Sequence, residues 1–299
     1  MRHVNASERQ SLASALESSR TETTKHQAQL NSGLRVTKAS DDPSAFASAS
    51  RLRSDLADIE ADKKQLQSSQ AMLRSHDQAL GDLTSTARQM KTLVLRAANE
   101  GATQQLYDSI ADEVDALLEQ SVSAANTQVG KAYLFSGSQK LTKPFEVQRN
   151  GDQITGVTYR GDSAPPALGL PGERAMPLAL NGRDVIAGGG EDFFTTAVEL
   201  RDALRAGSID SDQFIDRMGK IEENFVSRRA EAGAAGSYLE EMNLRLGDQK
   251  LALQSTLSDL VGADPASTAA NYFASENQTQ VNLAMIGRRD RLNLIDYLR

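Results

Sequence analysis

Between residues 45 and 98, apolar side chains recur every three or four positions: Leu52, Leu56, Ile59, Leu66, Leu73, Leu80, Leu83, Ala87, Met90 and Val94. No proline interrupts the run, and Gly81 is its one glycine. The seam is broken at Lys63, Gln70 and Asp77. This spacing predicts one helix of roughly 50 residues, about 75 Å long at about 1.5 Å per residue. Such a helix exceeds what an ordinary globular domain needs. Its narrow seam is buried only if other helices run alongside it, as in a coiled coil or long bundle. Composition agrees. Aromatics make up 5% of the chain and tryptophan is absent, so the bulky rings of a thick core are scarce.

After a break at Asn99-Glu-Gly101, a second helix is expected over about 103–129, with Leu106, Ile110, Val114, Leu117, Ser121, Ala125 and Val129 on one face. The short connection makes the two helices antiparallel neighbours. From Phe135-Ser-Gly137 to Gly190 the chain is rich in glycine and proline. Asn150-Gly151 between alternating segments signals a hairpin, and Gly188-Gly-Gly190 reads as a linker. Helical spacing returns over about 192–206, 210–261 and 267–298, with Gly233 and Gly236 weakening the middle of the longest. Each end therefore has a terminal helix, an Asp-Pro elbow (Asp42-Pro43, Asp264-Pro265) and a long helix. The expected fold is mainly α: a long antiparallel helical coiled coil or bundle with paired N- and C-terminal helices and a small β-rich insert at the tip. The expected domains are a terminal helical layer of 1–42 with 262–299, a long bundle of 43–136 with 191–261, and the insert of 137–190.

Function classes are narrowed by exclusion. The net charge of −7 leaves no excess of cations for general nucleic-acid binding. With no cysteine there is no disulfide, thiol catalysis or Cys-bound zinc. Charges spread through the first thirty residues, with no continuous apolar stretch, so no cleavable signal peptide is expected, and no run reaches the roughly 18 apolar residues of a membrane span. His3, His26 and His76 stand apart on helical segments, read as solvated faces rather than metal ligands, and no catalytic triad can be assembled around them. No catalytic, cofactor or metal site is expected. Asp41-Asp42 before Pro43 reads as capping chemistry, with Asp42 as N-cap and Pro43 at the first helical position, and Gly33 allows unusual backbone angles.

The ends are the informative part. Residues 4–34 are helix-like but hold few apolar anchors, Leu12, Leu16 and Leu30, with Thr21, Thr23, Thr24 and His26 between them. Such a helix is marginal without a packed face. The last segment carries Tyr272, Phe273, Val281, Leu283 and Ile286, then Leu292, Leu294, Ile295 and Leu298. Two arrangements fit: both arms pack into the chain's own bundle, or both become ordered against neighbouring subunits.

Asn31-Ser-Gly-Leu-Arg-Val-Thr-Lys-Ala-Ser-Asp-Asp-Pro43 resembles the N-terminal signature of the flagellin superfamily. The Ser-Asp-Asp-Pro form, Ala125-Asn-Thr-Gln-Val-Gly-Lys-Ala-Tyr-Leu-Phe-Ser-Gly137, Thr142-Lys-Pro-Phe145, Tyr159-Arg-Gly-Asp162 and the ending Leu294-Ile-Asp-Tyr-Leu298 resemble its hook–filament junction branch more than its filament branch. Ala6 to Thr24 is more polar than the family pattern. The resemblance implies nested layers: an inner coiled coil of both termini that touches neighbours in a tube, a layer of long helices, and an outward insert. It implies a structural adaptor of the bacterial flagellum, not an enzyme; the alternative is a minor flagellin that builds the filament. It further implies an extracellular place in the flagellum, reached by type III export without a cleaved signal. The implied partners are other copies in a ring, the preceding hook-associated protein, filament flagellin and an export chaperone, with no nucleic acid and no membrane. The candidate assembly residues are Leu12, Leu16, Leu30, Gly33, Arg35, Ser40, Asp41, Asp42, Pro43, Phe273, Leu283, Leu294, Ile295, Tyr297 and Leu298.

Overall fold

The computed structural model describes residues 2–98, 103–164, 167–170, 174–177 and 180–297. In chain order the elements are α1 (Arg2–Ser32), α2 (Pro43–Ala97), α3 (Gln104–Ala125), β1 (Gln128–Val129), β2 (Ala132–Tyr133), β3 (Phe145–Asn150), β4 (Gln153–Tyr159), β5 (Ala167–Leu170), β6 (Arg174–Pro177), α4 (Gly182–Ala187), α5 (Phe193–Arg205), α6 (Ser211–Val261) and α7 (Pro265–Tyr297). The expected long helices are α2, of 55 residues, and α6, of 51. The strands form three antiparallel pairs, β1–β2, β3–β4 and β5–β6. The fold is thus mainly α with a small β insert. Among the described residues no helix is long and apolar enough to cross a membrane.

Two details differ from expectation. The helix expected to reach residue 129 stops at Ala125. The Asn126 side chain leaves the helix to clamp β3: its amide nitrogen donates to the Phe145 carbonyl and its oxygen accepts from the Phe145 N–H, both at 3.0 Å. The chain then turns through β1–β2. The insert also holds the helix α4, capped where the Asn181 side chain accepts from Asp184 N at 2.9 Å. The hairpin around Asn150-Gly151 forms as read, with Gly151 at φ 64° in the turn.

The chain divides into two compact units, Glu60–Leu246 and the pair Met1–Ile59 with Gly247–Arg299, so the division falls within α2 and α6. Inside the first, α2 and α6 run antiparallel: Asp77 pairs with Arg229 at 2.9 Å and Glu222 with Arg88 at 2.6 Å. The core takes Leu66, Leu73, Leu80, Leu83 and Met90 from α2, Ile110, Val114 and Leu118 from α3, and Met218, Ile221 and Phe225 from α6. The few aromatics are concentrated here. Phe145, Phe194, Phe193 and Phe225 form a chain of ring contacts at 5.4–5.5 Å, where the insert meets the helices. Arg201 is buried beside them and held by Asp115, Asp202 and the Ile154 carbonyl.

His76 is not the solvated helix position that its sequence context predicts: it is 1% exposed, edge-on to Phe135 at 5.2 Å, and neither ring nitrogen has a hydrogen-bond partner. Burial pushes its pKa down to about 4. It belongs to the apolar face of α2 because Phe135, distant in sequence, closes over it. His26 is likewise half-buried, with Nδ1 3.1 Å from Gln29 Oε1 and Nε2 3.5 Å from Glu22. The side chain of His3 lies outside the described residues.

Candidate assembly site at the elbows and terminal helices

The second unit is built on two elbows clasped together. Gly33, at φ 67°, turns the chain out of α1. Its carbonyl accepts from Ala263 N at 2.9 Å, and Arg35 N donates to the Val261 carbonyl at 2.7 Å. Leu34 and Gly262 form an antiparallel bridge. Beneath them Val36, Ala45, Ala49 and Val261 are buried, with Leu34, Phe46, Leu257 and Leu260 packed around. Both Asp-Pro elbows therefore belong to one structure.

Each elbow aspartate has a defined task. Asp42 starts α2: its Oδ1 accepts from Ala45 N at 3.0 Å and from the Ser44 hydroxyl at 2.9 Å, with Pro43 in the first helical position. Asp41 ties the loop, its Oδ2 accepting from Thr37 N, the Thr37 hydroxyl and Lys38 N at 3.0–3.1 Å. Asp264 caps α7 through Ala266 N at 3.1 Å and Ser267 N at 3.3 Å. All three carboxyls are held below the ordinary value. The Thr37 N–H is the main cause for Asp41, the Ala45 N–H for Asp42 and the Ala266 N–H for Asp264. Arg35 joins the elbows, 3.5 Å from Asp42 and donating to the Leu260 carbonyl at 2.9 Å.

Next to the elbows α1 and α7 pack antiparallel. The Thr23 and Thr279 hydroxyls lie 3.3 Å apart, and the Asn282 amide donates to the Ala15 carbonyl at 3.2 Å and to the Ser19 hydroxyl at 3.3 Å. The covered positions of α1 are Leu12, Leu16, Ser19, Thr23, His26 and Gln29; those of α7 include Thr268, Tyr272, Ser275, Thr279, Asn282 and Ile286. Spacings of three and four give a coiled-coil seam, but hydroxyls and amides fill most of it. A search for apolar periodicity passes over it for that reason. The spacing alone was the available signal.

Among the expected residues, Leu12 and Leu16 lie half-buried on this seam and Leu30 sits at its exposed end. Arg35, Asp41 and Asp42 meet in the elbow; Gly33, Ser40 and Pro43 are exposed around it. Phe273 and Leu283 lie off the seam, 61% and 44% exposed, with Val281 and Met285 also uncovered. Leu294, Ile295 and Tyr297 fall within α7, their side chains outside the described set, and Leu298 lies outside the described residues. Sequence reading missed Ser19, Asn282, the Arg35–Leu260 tie and the capping partners of Asp264.

Residues 5–140 match the model of the bacterial flagellin N-terminal helical region. The chain is 24% identical to a flagellin of Bacillus subtilis, covering 95% of each chain. It is 23% identical to flagellar hook-associated protein 3 of Escherichia coli, covering 88% of this chain and 89% of that one. In fold it is similar to flagellar hook associated protein-3 of Legionella pneumophila, with TM-score 0.62 and 15% identity over 71% of this chain and 98% of that one. The chain thus has the fold of flagellar hook-associated proteins, and its first half is similar to the flagellin N-terminal helical region.

Proposed function

We propose that the chain is a structural adaptor of the bacterial flagellum, joining hook to filament by packing its terminal helices against neighbouring subunits. One observation carries this reading. The α1–α7 seam is lined by Ser19, Thr23, Thr279 and Asn282, whereas Phe273, Val281, Leu283 and Met285 of α7 stand uncovered. Apolar burial contributes about 25 cal/mol per Å², so this pair gains little from itself and most from a surface laid over α7. The neighbours are other copies in a ring, the preceding hook-associated protein and filament flagellin. An export chaperone would shield the same helices before type III export without a cleaved signal. The work is done by subunit contact, and the reading assigns no catalytic step.

Asp41→Ala with Asp42→Ala tests it. Monomer helicity should stay within a few per cent of wild type by circular dichroism, while swimming and recovery of the chain on isolated hooks fall sharply. Normal swimming by the double variant would overturn the elbow as an assembly contact. The likeness to a Bacillus flagellin over 95% of both chains favours one second reading, a minor flagellin. Seeded assembly separates the two: a flagellin elongates long filaments, and a junction protein stops at short structures.

A further inference from the structure

The chain contains two Asn-Gly pairs, Asn150-Gly151 and Asn181-Gly182, both in the insert. Sequence alone does not separate them. An asparagine followed by glycine is prone to lose its side-chain ammonia, because no side chain on the next residue shields the backbone nitrogen. The structure gives the two pairs opposite surroundings. Asn181 is 1% exposed and fully committed: its Nδ2 donates to Asp184 Oδ2 at 2.8 Å and to the Ser163 carbonyl at 3.3 Å, and its Oδ1 accepts from Asp184 N at 2.9 Å. The Gly182 N–H donates to the Phe135 carbonyl at 2.9 Å, and a Cβ on Gly182 would collide with the Tyr159 and Phe145 rings. Asn150 and Gly151 are both exposed, where β3 turns into β4. Among the described residues the Asn150 side chain has no hydrogen-bond partner, and neither has the Gly151 N–H. Nothing lies within 4 Å of where a Gly151 Cβ would stand.

We infer that Asn150 is a site of spontaneous, non-enzymatic deamidation and that the fold spares Asn181. The Gly151 nitrogen gives its proton to hydroxide and bonds to Asn150 Cγ. The Cγ–Nδ2 bond breaks, and ammonia leaves with a proton taken back from water, closing a succinimide ring. Water then opens the ring at either carbonyl, giving aspartate or isoaspartate. No oxidation or reduction occurs, and water is the one co-reactant. At Asn181 the same attack would first have to break the Gly182–Phe135 bond and the three bonds of the amide. Conversion adds one negative charge to the chain's −7. The isoaspartyl form also puts an extra methylene into the main chain where Asn150 faces Gln153. That is one residue from Arg149, which binds both carboxylate oxygens of Glu119 on α3. The change therefore falls at the joint that ties the hairpin to α3. The inference stands on the insert by itself and does not depend on the adaptor reading.

Peptide mapping of the full-length chain tests it. The purified protein is held at mildly alkaline pH, then digested under mildly acidic conditions and analysed by mass spectrometry. Trypsin releases the two pairs on separate peptides, 150–160 and 175–183. In the native chain the first should convert at least about tenfold faster than the second, because Asn181 reacts only from locally opened molecules. Both aspartyl and isoaspartyl products should appear at Asn150. In guanidinium chloride the two rates should converge. Equal rates in the native chain, or no conversion at Asn150, overturn the assignment. A gap that persists unchanged in denaturant traces the selectivity to flanking residues and overturns the role given to the fold. Aspartate without isoaspartate means direct hydrolysis and overturns the succinimide route. Asn150→Gln, whose longer side chain must close a larger ring, should leave 150–160 unconverted. Ammonia release from that variant at the wild-type rate would equally count against the site.

Discussion

His76 is a buried imidazole with no hydrogen-bond partner, packed edge-on to Phe135. Burial holds it neutral, and its pKa falls from 6.5 to about 4. The unfolded chain takes up a proton as pH drops through 6.5, and the native chain does not until about 4. Stability present above pH 6.5 is therefore lost progressively between those values. Replacing His76 with leucine removes this loss, so urea unfolding should show the variant about 2 kcal/mol better off, relative to wild type, at pH 5 than at pH 8. An equal difference at the two pH values would rule out a buried neutral imidazole. The elbow aspartates behave in the opposite sense: their lowered pKa values favour the folded state above the ordinary 3.8, and that contribution disappears as pH falls below it. Asp42 could be read from sequence because its donors, Ser44 and Ala45, are its neighbours. His76 could not, because the ring that buries it comes from another element.

At the scale of elements, helix type and extent follow from local spacing, and α2 and α6 appear where apolar periodicity puts them. Gly233 and Gly236 do not break α6. A Cβ built on either would meet no atom within 4 Å, so neither glycine is required by packing within the chain. Gly233→Ala with Gly236→Ala should stabilise the unit by about 1 kcal/mol per site through helix propensity, seen as a higher midpoint in chemical denaturation. A lowered midpoint would mean that α6 needs its glycines in the folded chain. The α1–α7 pair shows where periodicity fails as a guide. Its seam has coiled-coil spacing but is filled by Ser19, Thr23, Thr279 and Asn282, residues that no hydrophobic pattern selects. The end of α3 departs from the pattern for a related reason: Val129 continues the apolar rhythm, but the bonds from Asn126 to Phe145 stop the helix first.

At the scale of the molecule, the two units differ in how much they bury. The core of Glu60–Leu246 holds Phe135, Phe145, Phe193, Phe194 and Phe225, all fully buried. The elbow cluster of the other unit centres on Val36, Ala45, Ala49 and Val261. Calorimetry of the isolated chain should show two transitions, with the elbow unit melting first, and trypsin should cut within roughly the first 35 and last 35 residues before the rest. A single cooperative transition with protected ends would contradict this. Local pattern was enough to establish the long helices, the Asn150-Gly151 hairpin, the Asp42 cap and the elbow signature, because each depends on residues within a few positions of one another. Tertiary structure alone decided that the two elbows clasp, that hydroxyls and amides line the terminal seam, that scarce phenylalanines collect under the insert and that His76 is buried. Each of those depends on which distant segments meet, and burial is a property of the meeting surfaces rather than of either segment.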